Sequence, residues 1–169
     1  MPSDPAAAIT VPSELQSCDS HGEEQTQALG RRLAAALQPP ALVILQGELG
    51  AGKTRLVKGL AEGLQVAHEA DVTSPSYTLV HEFRSPQCTL HHVDLYRLEG
   101  SAQLATLGLE DVLPGGITPS SVVVVEWGAR FPLFRGWPRW LVTLEITGED
   151  TRHITVQWLP AEVARAERQ

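Results

Sequence analysis

With 169 residues, 43% of them hydrophobic, the chain has the length of one compact domain and enough apolar content for a real core. Thirteen basic residues against twenty acidic ones leave a formal charge of −7, which argues against non-specific attraction to a phosphate backbone, so any nucleic-acid partner is expected to be held by another chain. Cys18 and Cys88 have neither metal spacing nor the density of a disulfide scaffold, and there is no basic leader and no apolar run near ~18 residues. These features predict a soluble, cytoplasmic protein with no membrane partner.

Residues 1–17, with Pro2, Pro5 and a run of alanines, read as a flexible tail, 18–160 as a single domain and 161–169 as a second tail. Ser20 and Glu23 have capping-box spacing, and Leu29, Leu33 and Leu37 recur at helical intervals, which predicts a helix over about 22–37 ended by Pro39 and Pro40. The apolar run "ALVILQ", 41–46, predicts a strand, and a helix to about residue 64 follows it. "YTLVHEF" and "CTLHHVDLYRL" read as a hairpin turning at "RSPQ". "SAQLATLGLEDVL" reads as a helix with a possible cap at Ser101 and a stop at Pro114-Gly115-Gly116. The four valines of "SVVVVEW" suit a strand buried on both faces, and "WLVTLEITGEDTRHITVQW" reads as a closing hairpin around Gly148-Glu149-Asp150.

Between the first predicted strand and its helix lies "GELGAGKT", 47–54, a G-x-x-x-x-G-K-T phosphate loop in the context that the motif requires. Gly47, Gly50 and Gly52 allow the backbone to curl, so that N–H groups from Glu48 through Leu49, Gly50, Ala51 and Gly52 to Thr54 converge on phosphates at a helix N-terminus. Lys53 is expected to reach the β- and γ-phosphates, Thr54 to bind Mg²⁺, and Arg55 to follow in the same nucleotide-binding segment.

Such a loop requires a second strand end bearing a carboxylate, and Asp94 and Glu126 compete for the role. The valine run places Glu126 beside the phosphate-loop strand in a parallel core, whereas "TLHHVD" alternates like a strand with one solvated face. Glu126 is therefore taken as the metal-side carboxylate with Asp94 close by; the structural alternative for Asp94 is a strand-end cap or a pair with Arg97. "TSPSYT", 73–78, is either a γ-phosphate-sensing loop or an ordinary hydroxyl-rich turn. His91 and His92 point to opposite faces of a strand and cannot chelate one ion together. Trp137 and Trp140 are read as a packing cluster rather than a partner surface.

Taken in order, "GELGAGKT", "SPSYTLVHEF", "HHVDLYRL" and "VEWGAR" resemble the bacterial TsaE (YjeE) family of tRNA threonylcarbamoyladenosine biosynthesis over about residues 22–148. The resemblance implies an α/β P-loop NTPase-type three-layer fold with a mixed β-sheet between helices. It implies Mg-dependent binding of ATP and slow hydrolysis, with docking on a TsaD and TsaB complex that hydrolysis resets. Contact with tRNA would be indirect, through those partners. Roles carried over fall on Lys53, Asp94 and Glu126 for catalysis and on Thr54 and Glu126 for the metal. Trp127 is placed near the nucleotide or the partner, Ser74-Pro75-Ser76 forms the switch-like loop, and the base lies near Glu23 to Thr26. Ser76 stands where the family has Thr, Glu48 where it has Asp, and Ala129 where a polar side chain is common. The rival reading is a P-loop small-molecule kinase, with Arg130, Arg135 and Arg139 as its lid. A GTPase would carry an N-K-x-D stretch, and the sequence has none.

Overall fold

A computed structural model describes residues 9–68, 71–75, 78–111, 113 and 119–162. Its elements are α1 (Ser13–Gln16), β1 (Ser17–His21), α2 (Glu23–Ala36), β2 (Ala41–Gln46), α3 (Lys53–Gly63), β3 (Val80–Arg84), β4 (Thr89–Asp94), α4 (Ser101–Ala105), β5 (Ser121–Glu126), β6 (Arg139–Ile146) and β7 (Thr151–Leu159), with short 3-10 turns after α4 and β5. The strands form one sheet in the order β1-β7-β6-β2-β5-β4-β3. The centre is parallel, with β2 flanked by β5 and β6 and β4 beside β5, while the β3–β4, β6–β7 and β1–β7 pairs are antiparallel.

Alternation along the central strands builds two apolar layers. Val43, Leu45, Val122 and Val124 face α2 and α3, whereas Leu42, Ile44, Val123 and Val125 face α4 and the 3-10 turns, with Phe131 and Phe134. All four valines of β5 are fully buried, and each contributes roughly 1.5–3 kcal/mol relative to an exposed side chain. The result is the expected α/β three-layer fold with a mixed sheet. Trp140 is buried in the α2–α3 layer and Trp137 packs against the other one, so both serve packing as expected but they do not form one cluster. No helix among the described residues is long and apolar enough to cross a membrane.

Several local expectations differ from the structure. β4 has no solvated face: it lies between β5 and the edge strand β3, and His91 and His92 are both buried. The alternation of "TLHHVD" misleads because histidine counts as polar in a pattern yet packs as a flat, largely apolar ring. Ser20 is not a helix cap but a strand residue whose Oγ meets Thr26 Oγ1 at 2.8 Å, and Gly22 stands at the head of α2 without a side-chain cap. Ser101 is likewise the first residue of α4 and not its cap, and the helix gives way to turns after Ala105. Within the stretch expected to be a tail, Val11 and Leu15 are buried in the α2–α3 layer, so packing begins before Ser17. At the other end Glu162 pairs with Arg139 at 2.8 Å. The stop at Pro114-Gly115-Gly116, the first eight residues and 163–169 lie outside the described residues.

Candidate functional site

The phosphate loop links the C-terminal end of β2 to the N-terminus of α3. Gly50 and Gly52 have φ of +81° and +102°, values that side-chain-bearing residues adopt at a cost. They turn the chain so sharply that Gly52 heads α3, whose first-turn N–H groups at Lys53, Thr54 and Arg55 have no acceptor within the helix. This open turn and its dipole suit an anion. Beside it opens a cleft of about 510 Å³ lined by Lys53, Thr54, Asp94, Glu126, Trp127 and Ser74 among others.

Parallel register puts Leu45 opposite Glu126 and Asp94 opposite Glu126, so the ends of β2, β5 and β4 deliver both carboxylates to the head of α3. Thr54 Oγ1 donates to Glu126 Oε1 at 3.1 Å, and His92 Nε2 donates to the same oxygen at 2.8 Å. Glu126 is thereby a buried carboxylate with two donors, which compensate part of its desolvation. Asp94 Oδ2 accepts from Ser74 Oγ at 2.6 Å and Oδ1 from the Tyr96 N–H at 2.9 Å. Ser74 thus ties the segment before β3 to the site, while Ser76 lies outside the described residues.

Lys53 Nζ donates to Gly47 O at 2.7 Å and Glu48 O at 2.8 Å and stands 4.2 Å from the centre of the Trp127 ring. Burial pushes its pKa down, and the charges of Glu126 and Asp94 oppose that shift. Trp127 has φ of +66° and meets the Tyr96 ring at 5.0 Å between centroids with the planes tilted by 46°. Arg130 lies against the indole and donates to Leu95 O at 2.7 Å and Tyr96 O at 3.1 Å, so its side chain anchors the loop after β4.

The other expected nucleotide-binding residues fall around this centre. Ala51 is buried, whereas the Leu49 side chain is 71% exposed at the rim. Thr26 lies across the loop, next to Gly52, on a smaller cavity of about 110 Å³ shared with Glu23 and Arg55. Arg55 pairs with Glu23 and donates to Gln27 Oε1 at 3.2 Å. Sequence reasoning gave no role here to His92 or Arg152, and it named Arg130 only as a kinase-lid candidate. The signal for His92 was its place two residues before Asp94, hence on the same face of β4. Of the three arginines read as a kinase lid, Arg139 donates to the Arg135, Trp137 and Pro160 carbonyls and pairs with Glu162, whereas Arg130 lies against Trp127, which lines the cleft.

The sequence model of the family described as "Threonylcarbamoyl adenosine biosynthesis protein TsaE" matches residues 20–154. The chain belongs to the TsaE family. Proteins described as "tRNA threonylcarbamoyladenosine biosynthesis protein TsaE" include one from Streptomyces coelicolor, 40% identical over 147 residues that cover 80% of this chain and 95% of that one. The Bacillus subtilis relative is 34% identical over 132 residues, 78% of each chain. A Synechocystis relative is 40% identical over 107 residues, 63% of this chain and 66% of its own. Among solved structures, Bacillus subtilis YdiB superposes with a TM-score of 0.64 at 29% identity, covering 83% of this chain and 82% of that one. A P-loop fold of the TsaE family implies nucleotide binding.

The residues present fit a magnesium ion. Adjacent oxygens on octahedral Mg²⁺ with ~2.1 Å bonds lie about 3 Å apart, and Thr54 Oγ1 and Glu126 Oε1 are separated by 3.1 Å.

Proposed function

We propose that the protein binds Mg-ATP in the cleft at the head of α3, hydrolyses it slowly alone, and serves tRNA threonylcarbamoyladenosine formation by docking on and resetting a TsaB–TsaD complex. The observation that carries the reading is the meeting of Thr54, at the head of α3 beside Lys53, with Glu126, at the end of the β5 strand that runs parallel to β2. Family membership supports the pathway and the partners.

In this reading the loop N–H groups and Lys53 hold the phosphates, with phosphate oxygens replacing Gly47 O and Glu48 O as acceptors for Nζ. Thr54 and Glu126 would hold Mg²⁺, which would supply Lewis-acid stabilisation of charge on the phosphoryl oxygens. Asp94 orients the water that attacks the γ-phosphorus as the bond to the β–γ bridging oxygen breaks, giving ADP and phosphate. Ser74, bonded to Asp94, couples the switch-like segment to that step. Thr26 and Glu23 border the base, and Trp127 closes the cleft beside Lys53.

Phosphate release from Mg-ATP by the purified chain, alone and with TsaB, TsaD and tRNA, tests the proposal. Slow release that rises with the partners is the expected result. Release indifferent to them, or a phosphorylated small molecule in place of free phosphate, would remove the assignment to that complex.

A further inference from the structure

Arg152, second residue of β7, directs its guanidinium to five backbone carbonyls in two separate segments. Nη1 donates to Gly148 O and Glu149 O at 3.2 Å and to Thr151 O at 2.9 Å, gathering the β6–β7 turn. Nη2 donates to Gly50 O and Nε to Ala51 O, both at 3.2 Å, about a hundred residues away in the phosphate loop. Strand pairing already places residue 152 between Ile146 on β6 and Ser20 on β1. The reach of its side chain to the loop is a separate feature.

In a trans peptide the C=O of one residue and the N–H of the next point in opposite directions. Drawing Ala51 O towards Arg152 therefore turns the Gly52 N–H away from it, ahead of the open first turn of α3. The segment concerned contains Gly50 and Gly52, both at positive φ, where peptide planes rotate with little steric restraint. Lys53 steadies the first half of the loop through Gly47 O and Glu48 O, a fixture that phosphate would take over. Arg152 lines the smaller cavity that Glu23 and Thr26 share and not the cleft lined by Lys53, Thr54 and Glu126, so phosphate held in that cleft leaves its bonds to the loop in place.

We propose that Arg152 is a positioning residue for nucleotide binding, holding the Ala51 carbonyl outward so that the Gly52 amide is preset for phosphate, while its bond to Gly50 O backs the turn in which the Ala51 N–H donates to Glu48 O at 3.0 Å. The inference rests on the nucleotide-binding reading above. Lysine cannot substitute, because an ammonium lacks the planar fork that reaches two consecutive carbonyls while also holding a turn.

The test compares the full wild-type chain with Arg152→Lys, Arg152→Ala and Thr151→Val. Thr151→Val removes the 3.0 Å hydroxyl bond to Thr147 in the same turn and leaves the guanidinium in place. Mg-ATP affinity is measured by calorimetry, thermal midpoints by unfolding, and exchange of the amides of residues 50–55 in the nucleotide-free chain. Both Arg152 variants are expected to bind roughly tenfold or more weakly, as loss of hydrogen bonds from a charged donor implies, with faster loop exchange. Thr151→Val is expected to lose thermal stability while binding like the wild type. Should Arg152→Ala fail to fold, Arg152→Lys carries the comparison. Wild-type affinity and slow loop exchange in Arg152→Lys would reduce Arg152 to a tie within the turn and leave the nucleotide reading standing, and equal affinity loss in Thr151→Val would assign the effect to the turn itself. Failure of the wild type to bind Mg-ATP would instead overturn the nucleotide reading and this inference with it.

Discussion

Glu126 Oε1 accepts hydrogen bonds from Thr54 and His92 at once, whereas Lys53 Nζ is held by loop carbonyls that phosphate oxygens can replace. The two residues should therefore fail differently. Lys53→Ala removes the positive charge that meets the phosphates and is expected to weaken ATP binding by about 100-fold or more, since a charged hydrogen bond is worth roughly 1.5–3 kcal/mol and two are lost. Glu126→Ala is expected to retain much of the affinity and to lose hydrolysis; equal loss of affinity in both, measured by calorimetry, would contradict this division. His91 poses a separate question of stability. Burial lowers its pKa from the ordinary value near 6.5, the nearby Glu82 carboxylate raises it and Arg84 lowers it. As pH falls through that value the unfolded chain takes up the proton first, so the contribution to stability is complete above it and is lost below. His91→Leu should accordingly show a smaller fall in thermal midpoint between about pH 7 and pH 5 than the wild type. Parallel curves for the two proteins would assign the acid sensitivity elsewhere.

At the scale of elements, α2 and α3 cross so closely that a Cβ at Gly59 would lie 1.9 Å from Gln27 O. No rotamer relieves a clash with backbone, so Gly59→Ala must separate the helices that carry Lys53 and Thr26. The expected cost is about 1–3 kcal/mol, read as a lowered denaturation midpoint, whereas Gly136→Ala, with nothing within 4 Å of its Cβ, should be nearly neutral. Comparable stability of the two variants would show that the crossing can relax. This close approach is invisible in the sequence, where Gly59 interrupts a helical pattern without stating what faces it. The β2–loop–α3 unit and the valine strand were legible because motif and hydrophobic run are local and coincide. β4 was misread because the burial of its histidines depends on neighbours supplied by distant parts of the chain. β1 escaped notice because "SCDSH" has no apolar alternation; its strand character comes from pairing with β7. Glu126 was recognised from its strand, while His92 and Arg152 needed the assembled sheet to bring them to Glu126 and to the loop.

For the whole molecule, the order β1-β7-β6-β2-β5-β4-β3 brings the N-terminal strand beside the last one and leaves the carboxylates and the phosphate loop at one end of the parallel centre. That convergence gives the local chemistry, but association with a polyanion depends on the surface as a whole. A formal charge of −7 repels a phosphate backbone at long range and opposes the counterion-release gain that supplies most non-specific binding. The chain by itself is therefore expected to hold tRNA more weakly than about 10⁻⁴ M at ~0.15 M salt. Retention of tRNA in filter binding should appear only when TsaB and TsaD are added. Micromolar retention by this chain alone, falling steeply with salt, would reveal a local basic path strong enough to overcome the net charge and would give the protein a direct part in holding the substrate. Salt-insensitive retention would point instead to base stacking or hydrogen bonding, and either outcome would remove the indirect role proposed for it.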